Sequence, residues 1–233
     1  MKRTLAILAL ASAPAAVGAA DWNPSAEFGL VITSGNSDTS NVNGKFAMKG
    51  EDEAWIHEYY ALALRGEVED EVTANRYEAG GKSGYKLSDR SYLFGSLRYE
   101  NDDFAPFEYQ ATASLGYGWF AIRDTDTTLL FEIGPGYRRL EPVGGGDAEG
   151  EAIVRGYADF KHALTANTAL YDTLLVEAGS DNTFAQNDLG VQVAMNKTLA
   201  LKAGFQVRHN TDVGPGVDKT DTLTLVNLVW SPE

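Results

Sequence analysis

Along most of this chain apolar side chains recur at every second position, and helical spacing is scarce. Ala26, Phe28, Leu30 and Ile32 alternate with Glu27, Gly29, Val31 and Thr33. Leu199, Leu201, Ala203, Phe205 and Val207 alternate with Ala200, Lys202, Gly204, Gln206 and Arg208. Leu189, Val191, Val193 and Met195 face away from Asp188, Gly190, Gln192 and Asn196. Leu129, Phe131, Ile133 and Tyr137 oppose Glu132, Gly136 and Arg138, and Val154, Ala158 and Phe160 oppose Arg155, Asp159 and Lys161. With turns marked where Asn, Asp, Gly, Pro or Ser interrupts the alternation, about twelve strands are predicted. They lie near 25–34, 38–49, 54–67, 72–87, 90–101, 106–122, 126–140, 150–164, 168–180, 183–196, 198–211 and 219–231.

Tight connections (Ser88-Asp89, Thr125-Asp126, Thr165-Asn167, Asn196-Lys197) alternate with longer or more acidic ones (Glu67-Glu71, Asn101-Ala105, Glu141-Gly150, Asp212-Val217). That asymmetry is the habit of outer-membrane barrels, whose short turns face the periplasm. An even strand count puts both termini on that side. The polar face carries small residues and charges of both signs. Its candidate lumen charges are Glu78, Lys82, Arg98, Glu100, Glu132, Arg138, Arg155, Asp159 and Arg208, with Lys86 and the glycines 80, 84, 116, 118, 134 and 136 beside them. Candidate lipid-interface aromatics are Tyr60, Tyr99, Tyr117, Trp119, Tyr137 and Trp230, near strand ends as two girdles require. Val226, Leu228 and Trp230 belong to a last strand that closes the sheet against the first, so that no edge is left free. A soluble periplasmic β-protein, with the wet and dry faces exchanged, is the competing reading.

The first twenty residues change the picture by adding a compartment. MKRTLAILALASAPAAVGAA has Lys2 and Arg3, an apolar run from Leu5 to Leu10, then small residues up to Asp21. That order marks a secretory signal peptide, with Gly18 and Ala20 at the small positions before the cut. Its apolar run is short of the roughly 20 residues of a helical span. Its loss removes two basic residues and no acid, taking the net charge from −14 to −16. So acidic a chain is a poor nucleic-acid binder. It has no cysteine, hence no disulfide and no cysteine-linked lipid. The domain reading is a signal peptide at 1–20 and one barrel at 21–233.

Four separated stretches then resemble a known family. TSGNSDTSN (Thr33 to Asn41), YLFGSLRYENDDF (Tyr92 to Phe104), GPGYR (Gly134 to Arg138) and the closing RHNTDVGPGVDKTDTLTLVNLVW are similar to the YdiY-like, salt-induced outer-membrane proteins that carry the DUF481 domain. The resemblance covers essentially the whole chain after residue 20. It implies an outer-membrane β-barrel of a Gram-negative envelope, with no agreed activity and no catalytic residues to carry over. One departure is that Ser231, Pro232 and Glu233 follow Trp230, where barrels of this kind usually end on an aromatic.

Other constellations have bland readings. Gly35-Asn36 reads as a hairpin turn. His57 is expected in the lumen and His162 near a turn. His209 and Asn210 point to opposite faces of a strand without serine, so no Ser-His arrangement is expected. Asp212, Asp218 and Asp221 lack the spacing of a calcium loop. Glu67, Glu69, Asp70, Glu71, Asp102, Asp103, Asp147 and Glu149 read as solvated loop charges, with weak gathering of divalent cations as the alternative. Val143 to Glu151 is not a phosphate loop.

The expectation is therefore an all-β fold: a closed antiparallel transmembrane β-barrel of about twelve strands with short periplasmic turns, after a cleaved signal peptide. Its expected partners are outer-membrane lipids and lipopolysaccharide, with the barrel-assembly machinery during insertion. No cofactor, metal or nucleic acid is expected, and any solute or ion is left unassigned. A structural or stress-related envelope barrel with a charge-paired lumen stands first, a narrow channel second, and a lipid hydrolase last. The first two differ in whether the lumen arginines meet the lumen carboxylates.

Overall fold

The computed structural model describes residues 20–33, 39–105, 107–142, 148–213 and 218–232. Apart from Ala20, the expected signal peptide lies outside these residues, as do Gly35-Asn36 and Val143 to Asp147. Twelve strands follow one another: β1 (Asp21–Thr33), β2 (Thr39–Glu51), β3 (Trp55–Val68), β4 (Glu71–Ser88), β5 (Ser91–Asp102), β6 (Phe107–Arg123), β7 (Thr127–Pro142), β8 (Glu149–Ala163), β9 (Thr168–Gly179), β10 (Thr183–Ala194), β11 (Leu199–Asn210) and β12 (Thr220–Trp230). Each pairs antiparallel with its chain neighbours, and β12 returns to β1 to close the barrel. The closing ladder joins Ala26 to Trp230, Glu27 to Val229 and Phe28 to Leu228. The last strand does find the first.

The predicted boundaries hold to within two residues, except at the start of β1, where turn marking stopped at Pro24. That proline pairs with Met48 of β2 on one side. On the other side β12 has already ended opposite Ala26. Its missing N–H therefore leaves no ladder partner unserved, the circumstance in which a strand tolerates proline. Pro135 lies deeper, inside β7. The β6–β7 ladder pairs Ser114 with Gly136 and Tyr117 with Ile133, in unchanged register, and skips the two positions between. Gly134 closes that gap by backbone contact: a Cβ there would lie 2.8 Å from the Leu115 carbonyl carbon.

At the end holding both chain termini the connections run from two residues (89–90) to four (164–167, 195–198). In the first of them Asp52 accepts hydrogen bonds from the N–H groups of Ala54 and Trp55, each at 2.7 Å, which hold its carboxyl below the ordinary range. Connections at the other end reach nine residues between β11 and β12. The expected longer loop around Glu67-Glu71 is instead a two-residue hairpin, with Glu69 at φ 52° and Asp70 at φ 64°. Two positive φ values match the type I′ turn, whose twist suits flanking strands.

The two faces settle which is wet. Leu97 is 68% exposed and Leu115 69% exposed, whereas Glu100 and Arg138 are fully buried. That is the reverse of a soluble barrel, and of the competing soluble reading. Apolar side chains on the outer wall suit hydrocarbon, and charges inside suit a polar lumen. On that outer wall Trp22, Trp55, His57 and Tyr59 stack in a row near the chain termini, with ring centroids 5.7–6.2 Å apart. Tyr99 stacks on Tyr109 toward the opposite end.

Candidate functional site in the barrel lumen

Period two sends alternate residues of every strand inward, and closure brings them face to face. Near the terminal end, Glu132 of β7 accepts hydrogen bonds from Lys82 of β4, Tyr92 of β5 and Arg155 of β8, the last at 2.8 Å. Lys82 also pairs with Glu58 of β3 at 3.3 Å, and Glu58 with Lys49 of β2 at 3.3 Å. Packed against this group is an apolar cluster of Tyr92, Phe94 and Leu130, with Ile56, Phe120 and Tyr157. The inward glycines make room for these rings: Cβ atoms at Gly84 and Gly116 would meet Tyr92 and Phe94 at 2.6 and 2.7 Å. Aromatic side chains, and not only long charged ones, therefore fill the narrow interior.

A second layer lies toward the other end. Arg98 of β5 donates to Glu100 at 2.6 Å and across the lumen to Glu177 of β9 at 2.6 Å. Arg208 of β11 donates to Glu100 and, at 3.0 Å, to Asp102. The Phe184 ring lies between the two guanidinium groups, 5.0 Å from Arg98 and 5.1 Å from Arg208. Above it Arg138 pairs with Glu151 of the adjacent strand and donates to the Asn182 carbonyl. Near the closing seam, Glu27 of β1 pairs with Lys202 of β11 at 3.0 Å.

All nine predicted lumen charges point inward. The expected cross-lumen matching is met in part: Arg208 reaches Glu100 across the lumen, whereas Arg98 meets Glu100 within β5 and Arg155 meets Glu132 on the adjacent strand. Arg138 instead takes Glu151, and Glu78 takes the Tyr60 hydroxyl, at 2.5 Å. Asp159 is inward and has no ion pair within 4 Å among the described residues. Of the predicted interface aromatics, Tyr99, Tyr117, Trp119, Tyr137 and Trp230 stand on the outer wall. Tyr60 does not: it lies in the lumen, with its neighbour Tyr59 in the outer belt. Its phase was hidden because β3 carries apolar residues on both faces, Leu62 and Leu64 inward, Ala61 and Ala63 outward. His57 is likewise corrected, from lumen to outer belt.

Sequence reasoning missed Glu58, Arg76, Glu151, Glu177 and Lys202 as lumen residues; extending parity from the predicted inward charges of β4, β8 and β11 would have found Arg76, Glu151 and Lys202, whereas β3 and β9 held no such charge to start from. Asp102, expected in a solvated loop, ends β5 and is held by Arg208. Among the described residues no group of three or more His, Cys, Asp or Glu could hold a metal. His57 Nδ1 lies 2.9 Å from Ser83 Oγ on the outer wall, a pairing not expected. Among the described residues the His57 ring is hydrogen-bonded by Ser83 and Tyr59 and by no carboxylate.

An apolar outer wall around a charge-crossed interior, closed by twelve antiparallel strands, defines a membrane β-barrel of the outer-membrane type. The fold is similar to that of the NanC porin, with a TM-score of 0.52 and 11% identity, covering 90% of this chain and 97% of that one. It is also similar to the translocator domain of the autotransporter NalP from Neisseria meningitidis, with a TM-score of 0.50 and 13% identity, covering 90% of this chain and 86% of that one. The family model described as "Protein of unknown function, DUF481" matches residues 26–231, and the chain belongs to that family. A relative, the "Uncharacterized protein YdiY" of Escherichia coli (strain K12), is 27% identical over 208 residues, 87% of this chain and 80% of that protein.

Proposed function

We propose that this chain is a non-catalytic barrel of the Gram-negative outer membrane, with a structural or stress-related envelope role and a lumen held shut by charge pairs. On this reading residues 1–20 direct export and are removed. The barrel-assembly machinery inserts the remainder with both termini in the periplasm, and lipids and lipopolysaccharide contact the outer wall. The stress element rests on the salt-induced family that the sequence resembles.

The observation that carries the closed lumen is the pair of charge layers spanning it, Lys82–Glu132–Arg155 and Glu177–Arg98–Glu100–Arg208. Side chains that meet across a twelve-strand interior take the width a hydrated ion needs.

The test is conductance of the purified, refolded protein in planar bilayers, with folding checked by heat-modifiable gel migration. Folded protein should leave the membrane silent. Steady, ion-selective steps that shift on changing Glu132 or Arg138 would overturn the closed reading in favour of a narrow channel.

A further inference from the structure

Between the two charge layers lies a cavity of about 340 Å³, bounded by both. That is toward the lower end of the ~300–1,000 Å³ typical of small-molecule sites. Most charges around it are matched, and the exceptions share one character. Arg76 of β4 is buried, yet among the described residues its guanidinium makes a single hydrogen bond, to the neutral Gln206 side chain at 3.0 Å. Its Nε has no partner, and no carboxylate lies within 4 Å of it among the described residues. Lys45 of β2 makes no ion pair within 4 Å among the described residues: Glu27, opposite it in the ladder, is held by Lys202, and the Lys45 ammonium lies 5.6 Å from the Tyr60 ring centroid.

The carboxylates without an ion pair in the same lining are better served. Glu78 accepts from Tyr60 at 2.5 Å, and Asp188 accepts from Gln186 at 2.8 Å and Gln206 at 2.5 Å. What the cavity leaves unmet is thus cationic donor capacity. On the β5–β6 wall, Thr112 and Ser114 are each 5% exposed with hydroxyls that have no partner among the described residues, and Ser96 stands opposite Ser114 in the ladder. Leaving the Arg76 Nε and two hydroxyls buried without partners is costly unless something fills the space.

We propose that this chamber binds a small hydroxylated organic anion, its carboxylate taken by Arg76 and Lys45 and its hydroxyls by Thr112 and Ser114. A neutral polyol lacks the charge that Arg76 calls for, and a bare halide lacks the reach to the hydroxyl wall. The site goes beyond a closed lumen, since a chamber between two layers can bind whether or not ions pass through it.

The experiment is calorimetric titration of the folded barrel in micelles with sodium gluconate, against sorbitol and sodium chloride. Gluconate should bind saturably, sorbitol at least tenfold more weakly, and equimolar chloride should not displace it. Arg76→Gln should weaken gluconate at least tenfold, the scale of one lost charged hydrogen bond. Equal affinity for sorbitol, displacement by chloride, no gluconate binding, or an unchanged Arg76→Gln affinity would each overturn the proposal. If Arg76→Gln lacks the folded gel band, Thr112→Val decides, since it alters no charge. A threefold or greater weakening is expected there, and none would refute the site. Conductance is read separately, so a conducting barrel that binds gluconate would sink the closed reading and leave this one standing.

Discussion

Changing Glu132 to Gln keeps the side-chain shape and removes one charge from the centre of the terminal-side layer. Its side chain is fully buried, and Arg155, 12% exposed, has no other ion pair among the described residues. At an effective dielectric constant of 20, a pair about 4 Å apart is worth about 4 kcal/mol. Lys82 keeps Glu58 at 3.3 Å, so the larger part of the loss falls on Arg155. Removing one partner of a buried pair usually costs about 3–5 kcal/mol, which is the expected destabilisation. Reversible urea unfolding in lipid vesicles, followed by tryptophan fluorescence, would measure it. The double variant Glu132→Gln/Arg155→Met removes the stranded cation and should recover more than half of the loss. A Glu132→Gln cost below about 1 kcal/mol would refute the reasoning, because it would mean that water reaches the layer and screens it as it screens a surface pair. A double variant no better than the single would point to lost packing in place of lost charge.

Three further outcomes follow from the same structure. Tyr60→Phe removes the donor to a buried carboxylate and should cost about 1–3 kcal/mol in the same unfolding assay; a neutral effect would return Tyr60 to the lipid interface. Gly134→Ala places a methyl group into the β6 backbone where no side chain can yield, so the heat-modifiable folded band should be lost; a normal band would show that β6 and β7 can separate there. Asp70→Gly relieves a left-handed residue in the β3–β4 hairpin and should raise stability by about 1 kcal/mol, whereas a loss would mean that the aspartate side chain sustains the turn.

Strand number, strand limits and the sorting of most side chains into two faces were legible in the sequence because each depends on neighbours one or two residues apart. Alternation in Leu129–Arg138 or Leu199–Arg208 sorts side chains into two faces without knowledge of the rest of the chain. Even Pro135 could be passed over, since alternation resumes on both sides of it. Where both parities are apolar, as in β3, the local signal vanishes, and Tyr60 and His57 were put on the wrong faces. Interior aromatics were missed for a related reason: Tyr92 and Phe94 are accommodated by Gly84 and Gly116 on neighbouring strands, not by anything beside them in sequence.

By itself, then, the sequence determined a twelve-strand barrel with one apolar and one charged face, and the family to which it is similar. Only the closed structure decided which charges meet. Arg208 reaches Glu100 and Arg98 reaches Glu177 because twelve strands curve into a cylinder narrow enough for side chains on distant strands to touch. The same closure left Arg76, beside the cavity, with no carboxylate within 4 Å among the described residues. Period two carries the direction in which a side chain points, but the distance to its opposite number is a property of the circumference, which no single strand encodes.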